Sequence, residues 1–306
     1  MTATSEKMIS ADQSTSEVTV VEVDLIRDLK DYRAVEDIQR DAWRLEEVEI
    51  VPDHVLITAQ KNGGLVLGAF EPCPEGGRWV VGFAFGFAGF TPEGALKHCS
   101  HMVGVAPSHQ NRGVGYLLKV AQREYVLAQG LELITWTFDP LESRNANLNF
   151  RKLGGTCSQY LRDIYGDMRD ELNSGLPSDR FQVAWYIATK HVAERLQREA
   201  APASRQRGPT ISQRLASGVK ILNRFLPAKR PRPPQSVLPV EGEEVLIQIP
   251  AHFQDVRATD IALARAWRQQ TRTLFETAFA RGYTVVDLLF EQERSCYRLV
   301  KDWKCE

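Results

Sequence analysis

The chain has 306 residues, 43% hydrophobic and 25% charged, enough for one large domain or two modest ones with a real core. Lys and Arg total 38 against 39 Asp and Glu, a formal net charge of −1, so no global electrostatic bias favours nucleic acid. No apolar run approaches the roughly 20 residues of a membrane-spanning helix.

Residues 1–17 are polar and rich in Ser and Thr, without the apolar stretch of a secretory signal, and read as a disordered tail. The β-branched run 18–23 predicts a strand. Leu29, Tyr32, Val35, Ile38, Ala42 and Trp43 recur at three- and four-residue spacing, which predicts a helix over 29–43. A short helix follows over 52–59, with Pro52 in its first turn. Asn62-Gly63-Gly64 is a hairpin-type break before the apolar run 65–70. A turn at 73–77 leads to a strand over 79–90, whose glycines mark a bulge or close backbone approach. A further strand spans 96–105, and three strands joined by tight turns predict an antiparallel meander.

The period then changes to helical over 114–129, closed by Gly130. A buried strand over 133–138 and a short helix over 144–153, stopped by Gly154-Gly155, come next. With a strand candidate at 182–187, the order describes a mixed α/β layered domain with a mostly antiparallel central sheet flanked by helices.

Between Arg195 and Pro234 the text is strongly basic, with Glu199 the only acid, and reads as a Pro/Arg-rich linker. Ile211, Leu215, Val219, Leu222 and Leu226 stripe a basic amphipathic helix docked on its own protein. The competing reading is contact with a membrane surface or an acidic partner. Strands at 245–249, 285–290 and 296–300 around a helix at 261–281 make a β-α-β-β extension too small to stand alone. The expected organisation is a tail at 1–17, a main domain at 18–194, the linker at 195–236, and an extension at 237–306 packed on the main domain. The five cysteines (Cys73, Cys99, Cys157, Cys296 and Cys305) lack C-x-x-C spacing, which fits reduced thiols of a cytoplasmic protein and no zinc site.

The chemistry concentrates where the 96–105 strand meets Pro107 and a loop with Gly113 and Gly115 opens into a helix. Consecutive N–H groups at such a helix start form an anion cradle, and Arg112 adds a charged fork. The loop lacks the Gly-Lys-Ser/Thr of a Walker loop and the G-x-G-x-x-G of dinucleotide folds. It suits phosphate or pyrophosphate.

Val105-x-Pro107-x-x-Gln110-x-x-Gly113-x-Gly115 resembles motif A of the GCN5-related N-acetyltransferase (GNAT) superfamily. The order of elements over roughly residues 18–188 is similar too. The resemblance implies that Gln110, Asn111, Arg112, Gly113, Val114 and Gly115 hold the pyrophosphate of coenzyme A. Met102, Val103 and Val105 would meet the pantetheine arm as a strand partner. The Val103 N–H would polarise the thioester carbonyl as an oxyanion donor, and an amine would attack directly, with no covalent enzyme intermediate.

In an unbroken strand Cys99, His101 and Val103 share one face. His101, with an unperturbed pKa near ~6.5, is the candidate general base; a satisfied sheet histidine is the competing reading. Serotonin-type acetyltransferases are similar in carrying histidines on this strand. His98 and His109 read as structural. The family's general-acid tyrosine is replaced by Phe150 in Ser143-x-x-Ala146-x-x-x-Phe150-x-x-x-Gly154. Either another group acts, or the thiolate leaves unassisted. Asn145 and Asn149 are candidates for pantetheine hydrogen bonds, or plain cap and surface amides.

For the acceptor, Asp139 and Glu142 would meet an ammonium group, though Asp139-Pro140 also suits a plain turn. The long excursion from Tyr160 to Arg180 supplies Arg162, Tyr165 and Arg180. An arginine there would clamp a carboxylate or form a structural Asp-Arg pair. This text resembles a GNAT subgroup whose relatives look like N-acyltransferases of amino acids, some of them succinyltransferases. The expectation is a cytoplasmic N-acyltransferase that moves an acetyl or succinyl group from acyl-CoA to a primary amine of a small acceptor. It uses no metal, nucleic acid or integral membrane association, and a homodimer is compatible with it. The alternative is a non-catalytic acyl-CoA-binding sensor or interaction module.

Overall fold

A computed structural model describes residues 21–166, 175–201 and 208–305; the predicted tail at 1–17 lies outside them. The chain forms two compact units, residues 1–134 and 135–306.

In the first unit β1 (Glu22–Leu25), α1 (Leu29–Trp43), α2 (Asp53–Lys61), β2 (Leu65–Pro72), β3 (Arg78–Phe90), β4 (Leu96–Val105) and α3 (Val114–Ala128) follow in order. The strands β1 to β4 pair antiparallel in chain order, so the predicted meander is present with β1 added at its edge. Period-two alternation on β2, and on β3 apart from a bulge at Val81, gives each sheet face its own apolar set. Val66, Phe70, Phe83 and Phe85 pack with Tyr32, Val35 and Ile38 of α1 and Leu56 of α2. Leu65, Leu67, Ala69, Val81 and Ala84 meet Val114 and Leu118 of α3. Each such Val, Leu, Ile or Phe side chain, fully buried, contributes roughly 1.5–3 kcal/mol. A Cβ on Gly86 would lie 2.3 Å from His98 Nε2, so glycine makes room on β3 for a histidine ring carried by β4.

The strand β5 (Leu133–Phe138) carries the chain into the second unit. There α4 (Ser143–Ala146) continues into a π-helical turn, Asn147–Lys152, followed by β6 (Tyr160–Leu161), β7 (Arg180–Tyr186) and α5 (Lys190–Ala200). Then come α6 (Ile211–Ala216), β8 (Lys220–Ile221), β9 (Glu244–Ile249), α7 (Phe253–Thr259), α8 (Ile261–Ala280), β10 (Tyr283–Glu291) and β11 (Arg294–Lys301). A four-stranded sheet runs β10-β11-β9-β8, and β8 is parallel to β9. Phe138, Phe150, Phe181 and Val183 share one core with Ile247, Trp267, Phe275 and Tyr297. Residues between Val240 and Leu299 thus contribute apolar side chains to the same core as residues 138–183.

The basic stretch departs from the sequence reading. Residues 190–200 are the helix α5, and Arg195 on it is 6% exposed, with Nη2 3.1 Å from Asp287 of β10. The amphipathic helix expected to run through Leu226 ends at Ala216. Gly218 follows in the left-handed region at φ 89°, a conformation that stops helices. Lys220 and Ile221 then gain ladder hydrogen bonds beside β9, and Leu226 is left 74% exposed. Among the described residues no helix is long and apolar enough to cross a membrane.

Candidate functional site

The loop between β4 and α3 is held open by its own anchors. His109 Nε2 lies 2.9 Å from Glu71 Oε2 and its Nδ1 lies 2.8 Å from Ser108 Oγ. Gln110 Nε2 donates back to the carbonyl of Val105 at 3.2 Å, so this side chain braces the end of β4. Asn111 (φ 66°) and Gly113 (φ 82°) are left-handed, which turns successive peptide N–H groups toward one side. Gly113 is the N-cap of the 15-residue helix α3, and no side chain caps it. A Cβ at Gly113 would meet nothing within 4 Å. Among the described residues, no close, well-aligned hydrogen bond occupies the N–H groups of Asn111, Arg112, Gly113, Val114 or Gly115, which lie in turns and at the first residues of α3. Uncapped donors at a helix start, beside the exposed Arg112, fit a diphosphate.

On β4 the period-two expectation fails at one point. Phe85 pairs with Met102 and Gly86 with Ser100, leaving His101 as the extra residue of a β-bulge. Two adjacent residues at a bulge lie on one side of the sheet. Met102 packs on the α1/α2 core, whereas Val103 and Val105 pack on the α3 core. Cys99 and His101 therefore lie opposite Val103, and the single shared face read from the sequence is replaced by two. The His101 ring sits 5.7 Å from Phe85 and 5.9 Å from Phe87 between ring centroids. His101 is open to solvent on one side, yet the desolvation from these neighbours lowers its pKa below the usual 6.5. A neutral imidazole at neutral pH suits a base.

The α3 side of β4 holds a buried polar chain that the sequence did not reveal. Lys119 Nζ donates to Ser100 Oγ at 3.0 Å and to Gln122 Oε1 at 2.8 Å. With its oxygen so committed, Gln122 turns Nε2 to His98 Nε2 at 3.2 Å, so the imidazole accepts there and carries its proton on Nδ1. That Nδ1 is buried without a partner among the described residues. Burial, then the Lys119 charge, pushes the His98 pKa down to about 4, and burial holds the Lys119 ammonium well below the usual lysine range.

The remaining predicted residues belong to the second unit. Asp139 is held by Arg268 of α8, whose Nη1 donates to Oδ1 at 2.7 Å and whose Nη2 donates to Oδ2. Leu141 N donates to the same Oδ1 at 2.8 Å. Burial opposes the Asp139 charge, but Arg268 prevails and the carboxyl lies below its ordinary 3.8. Glu142 behaves oppositely: desolvation and the nearby Asp139 charge raise it to about 7, although Gln254 Nε2 donates to Oε1 at 2.5 Å. Two neighbouring carboxylates thus titrate far apart.

Arg162 pairs with Glu276 at 2.5 and 2.6 Å. Arg180 is 7% exposed, donates to the Asp179 carbonyl at 2.9 Å, and lies over the Tyr165 ring at 5.6 Å. Tyr165 itself meets Thr137 Oγ1 at 2.8 Å. Asp179 is fully buried and receives Arg272 and Tyr160, with Tyr160 Oη 2.7 Å from Oδ2. Asn145 is exposed; Asn149 is 5% exposed in the π-helical turn, a distortion often found at functional sites. Phe150 is fully buried between Phe138, Phe181 and Tyr297. Arg268, Arg272 and Gln254 escaped sequence reasoning because their partners lie about a hundred residues away, with no local signal.

No protein-family profile matches this sequence, and no curated protein is significantly similar to it. Among solved structures, the chain is similar to the NatC complex bound to Gag peptide and CoA (12% identity, 54% of this chain and 98% of that chain, TM-score 0.44). It is also similar to Arabidopsis thaliana NAA60 in complex with a bisubstrate analogue (14%, 54% and 98%, TM-score 0.43). A third similar structure is an N-acetyltransferase from Staphylococcus aureus Mu50 (16%, 55% and 98%, TM-score 0.42).

Proposed function

We propose that the protein is an N-acyltransferase that takes an acetyl or succinyl group from a coenzyme A thioester to the primary amine of a small, amino-acid-like acceptor. The observation that carries this reading is the row of N–H groups from Asn111 to Gly115, none in a close hydrogen bond among the described residues, at the uncapped start of α3. It coincides with the GNAT-like spacing Gln110-x-x-Gly113-x-Gly115. Gly113, Val114 and Gly115 hold the diphosphate with their amides, Arg112 adds charge, and Met102 to Val105 hold the pantetheine arm by their backbone. The bound thioester supplies the electrophilic carbonyl.

Val103 N–H polarises that carbonyl, and His101, neutral at pH 7, takes the proton the attacking amine loses. Phe150 donates no proton, so the thiolate leaves without a side-chain acid. Thiol release measured with acetyl-CoA and succinyl-CoA against a panel of amino acids and small amines tests the reading. Amine-dependent release supports it; acyl-CoA binding with no release against any amine contradicts it. The latter result would favour a binding module, a reading supported by the deep burial of Phe150 where the family has its acid.

A further inference from the structure

In the second unit, Arg151 of the π-helical turn and Arg198 of α5 line a cavity of about 660 Å³ together with Gly208, Pro209, Thr210 and Gln213. That volume falls in the range of small-ligand sites, roughly 300–1,000 Å³.

Behind the wall, Arg151 Nη1 donates to Asp287 Oδ2 at 3.0 Å, and Arg195 Nη2 lies 3.1 Å from the same oxygen. Asp287 is fully buried, and its Oδ1 has no partner among the described residues. Two guanidinium groups therefore share one carboxylate, and Arg198, whose charge also acts on Arg195, meets no acid among the described residues. The nearby acids are engaged elsewhere. Glu199 lies 3.5 Å from Lys152, and Glu194 lies 3.8 Å from Lys190. Glu291 accepts from Ser212 N and Oγ at 2.7 and 2.8 Å.

The wall's side-chain acceptors are also taken. Thr210 Oγ1 accepts from Gln213 N at 3.1 Å, and Gln213 Oε1 accepts from Thr210 N at 3.0 Å. Arg151 Nη1 also reaches the Pro209 carbonyl at 3.3 Å, so the donor capacity left at the cavity is the rest of the Arg151 fork and the Arg198 guanidinium. Arg195 senses the surplus: burial lowers its pKa, Asp287 opposes this, and the charges of Arg198 and Arg151 lower it further. Planar forks with surplus charge match tetrahedral or planar oxyanions.

We infer that this cavity binds a small multivalent oxyanion, a phosphate ester or a polycarboxylate, through Arg151 and Arg198. The full chain titrated calorimetrically with pyrophosphate and with citrate, alongside sodium chloride at equal ionic strength, tests it. At least one of the two anions gives saturable heat and a higher melting temperature that chloride does not reproduce. The stronger of the two identifies the source of the oxyanion. Arg198→Gln, which breaks no ion pair among the described residues, keeps the circular dichroism spectrum and weakens binding roughly tenfold or more. Saturable binding unchanged in Arg198→Gln would locate the anion elsewhere, as in the α3 loop, and overturn the inference; so would chloride-like behaviour of both anions.

Discussion

Arg268 on α8 closes two parallel hydrogen bonds on Asp139 just beyond β5, and both side chains are almost out of water, at 3% and 10% exposure. Removing one member of such a pair strands the other's charge. Arg268→Ala therefore destabilises the protein by about 3–5 kcal/mol in denaturant unfolding. A double variant, Arg268→Met with Asp139→Leu, loses less than the two single changes summed. Additive losses would show that the pair does not interact.

The His98 network makes stability depend on pH. Unfolded, this imidazole takes a proton near 6.5; folded, only near 4. Between those values the unfolded chain binds more protons, so stability rises with pH and is lost as pH falls from 6.5 through 4. The loss attributable to His98 is on the order of 3 kcal/mol. Unfolding free energies at pH 4 and 6.5 check this, with His98→Gln giving a shallower dependence than the wild type. Lys119, depressed by the same burial, works in the same direction but extends toward the ordinary lysine range.

His101→Ala lowers the acyl-transfer rate by roughly 10²–10⁴ if the imidazole is the base. Because the neighbouring rings keep its pKa below 6.5, the acid limb of the wild-type rate profile lies below that value. A limb left in place by the substitution removes His101 from the mechanism.

Phe150→Tyr tests the missing acid. The ring is enclosed by Phe138, Phe181 and Tyr297, with centroids 5.8 to 6.3 Å away. A hydroxyl there is buried among apolar rings and costs about 1–3 kcal/mol of stability. Thermal unfolding falls accordingly, and turnover does not increase.

Much of the fold was legible because period carries it. The helix α1 and the strands β4 and β5 begin and end where the apolar pattern does, and the α3 loop announces itself through Gly113 and Gly115. Long-range pairing was not legible. Arg195 looked like one basic residue in a linker, yet it is fixed by Asp287, 92 residues later. Gly86 on β3 marks the place of the bulge, but no glycine or proline on β4 tells that His101 is the extra residue, so the face of that histidine depended on pairing with β3. For Asp139 and Arg162 the sequence left a binding role and a structural role open, because Arg268 and Glu276, which hold them, lie on α8.

Isothermal titration of the full chain with coenzyme A is the most direct measurement of the central idea, that the amides of residues 111–115 take a diphosphate. Saturable heat is predicted, weakened about tenfold or more by Gly113→Val, whose side chain resists the left-handed backbone at φ 82°. Absence of heat with coenzyme A and its acetyl and succinyl thioesters, or affinity unchanged by Gly113→Val, would contradict it.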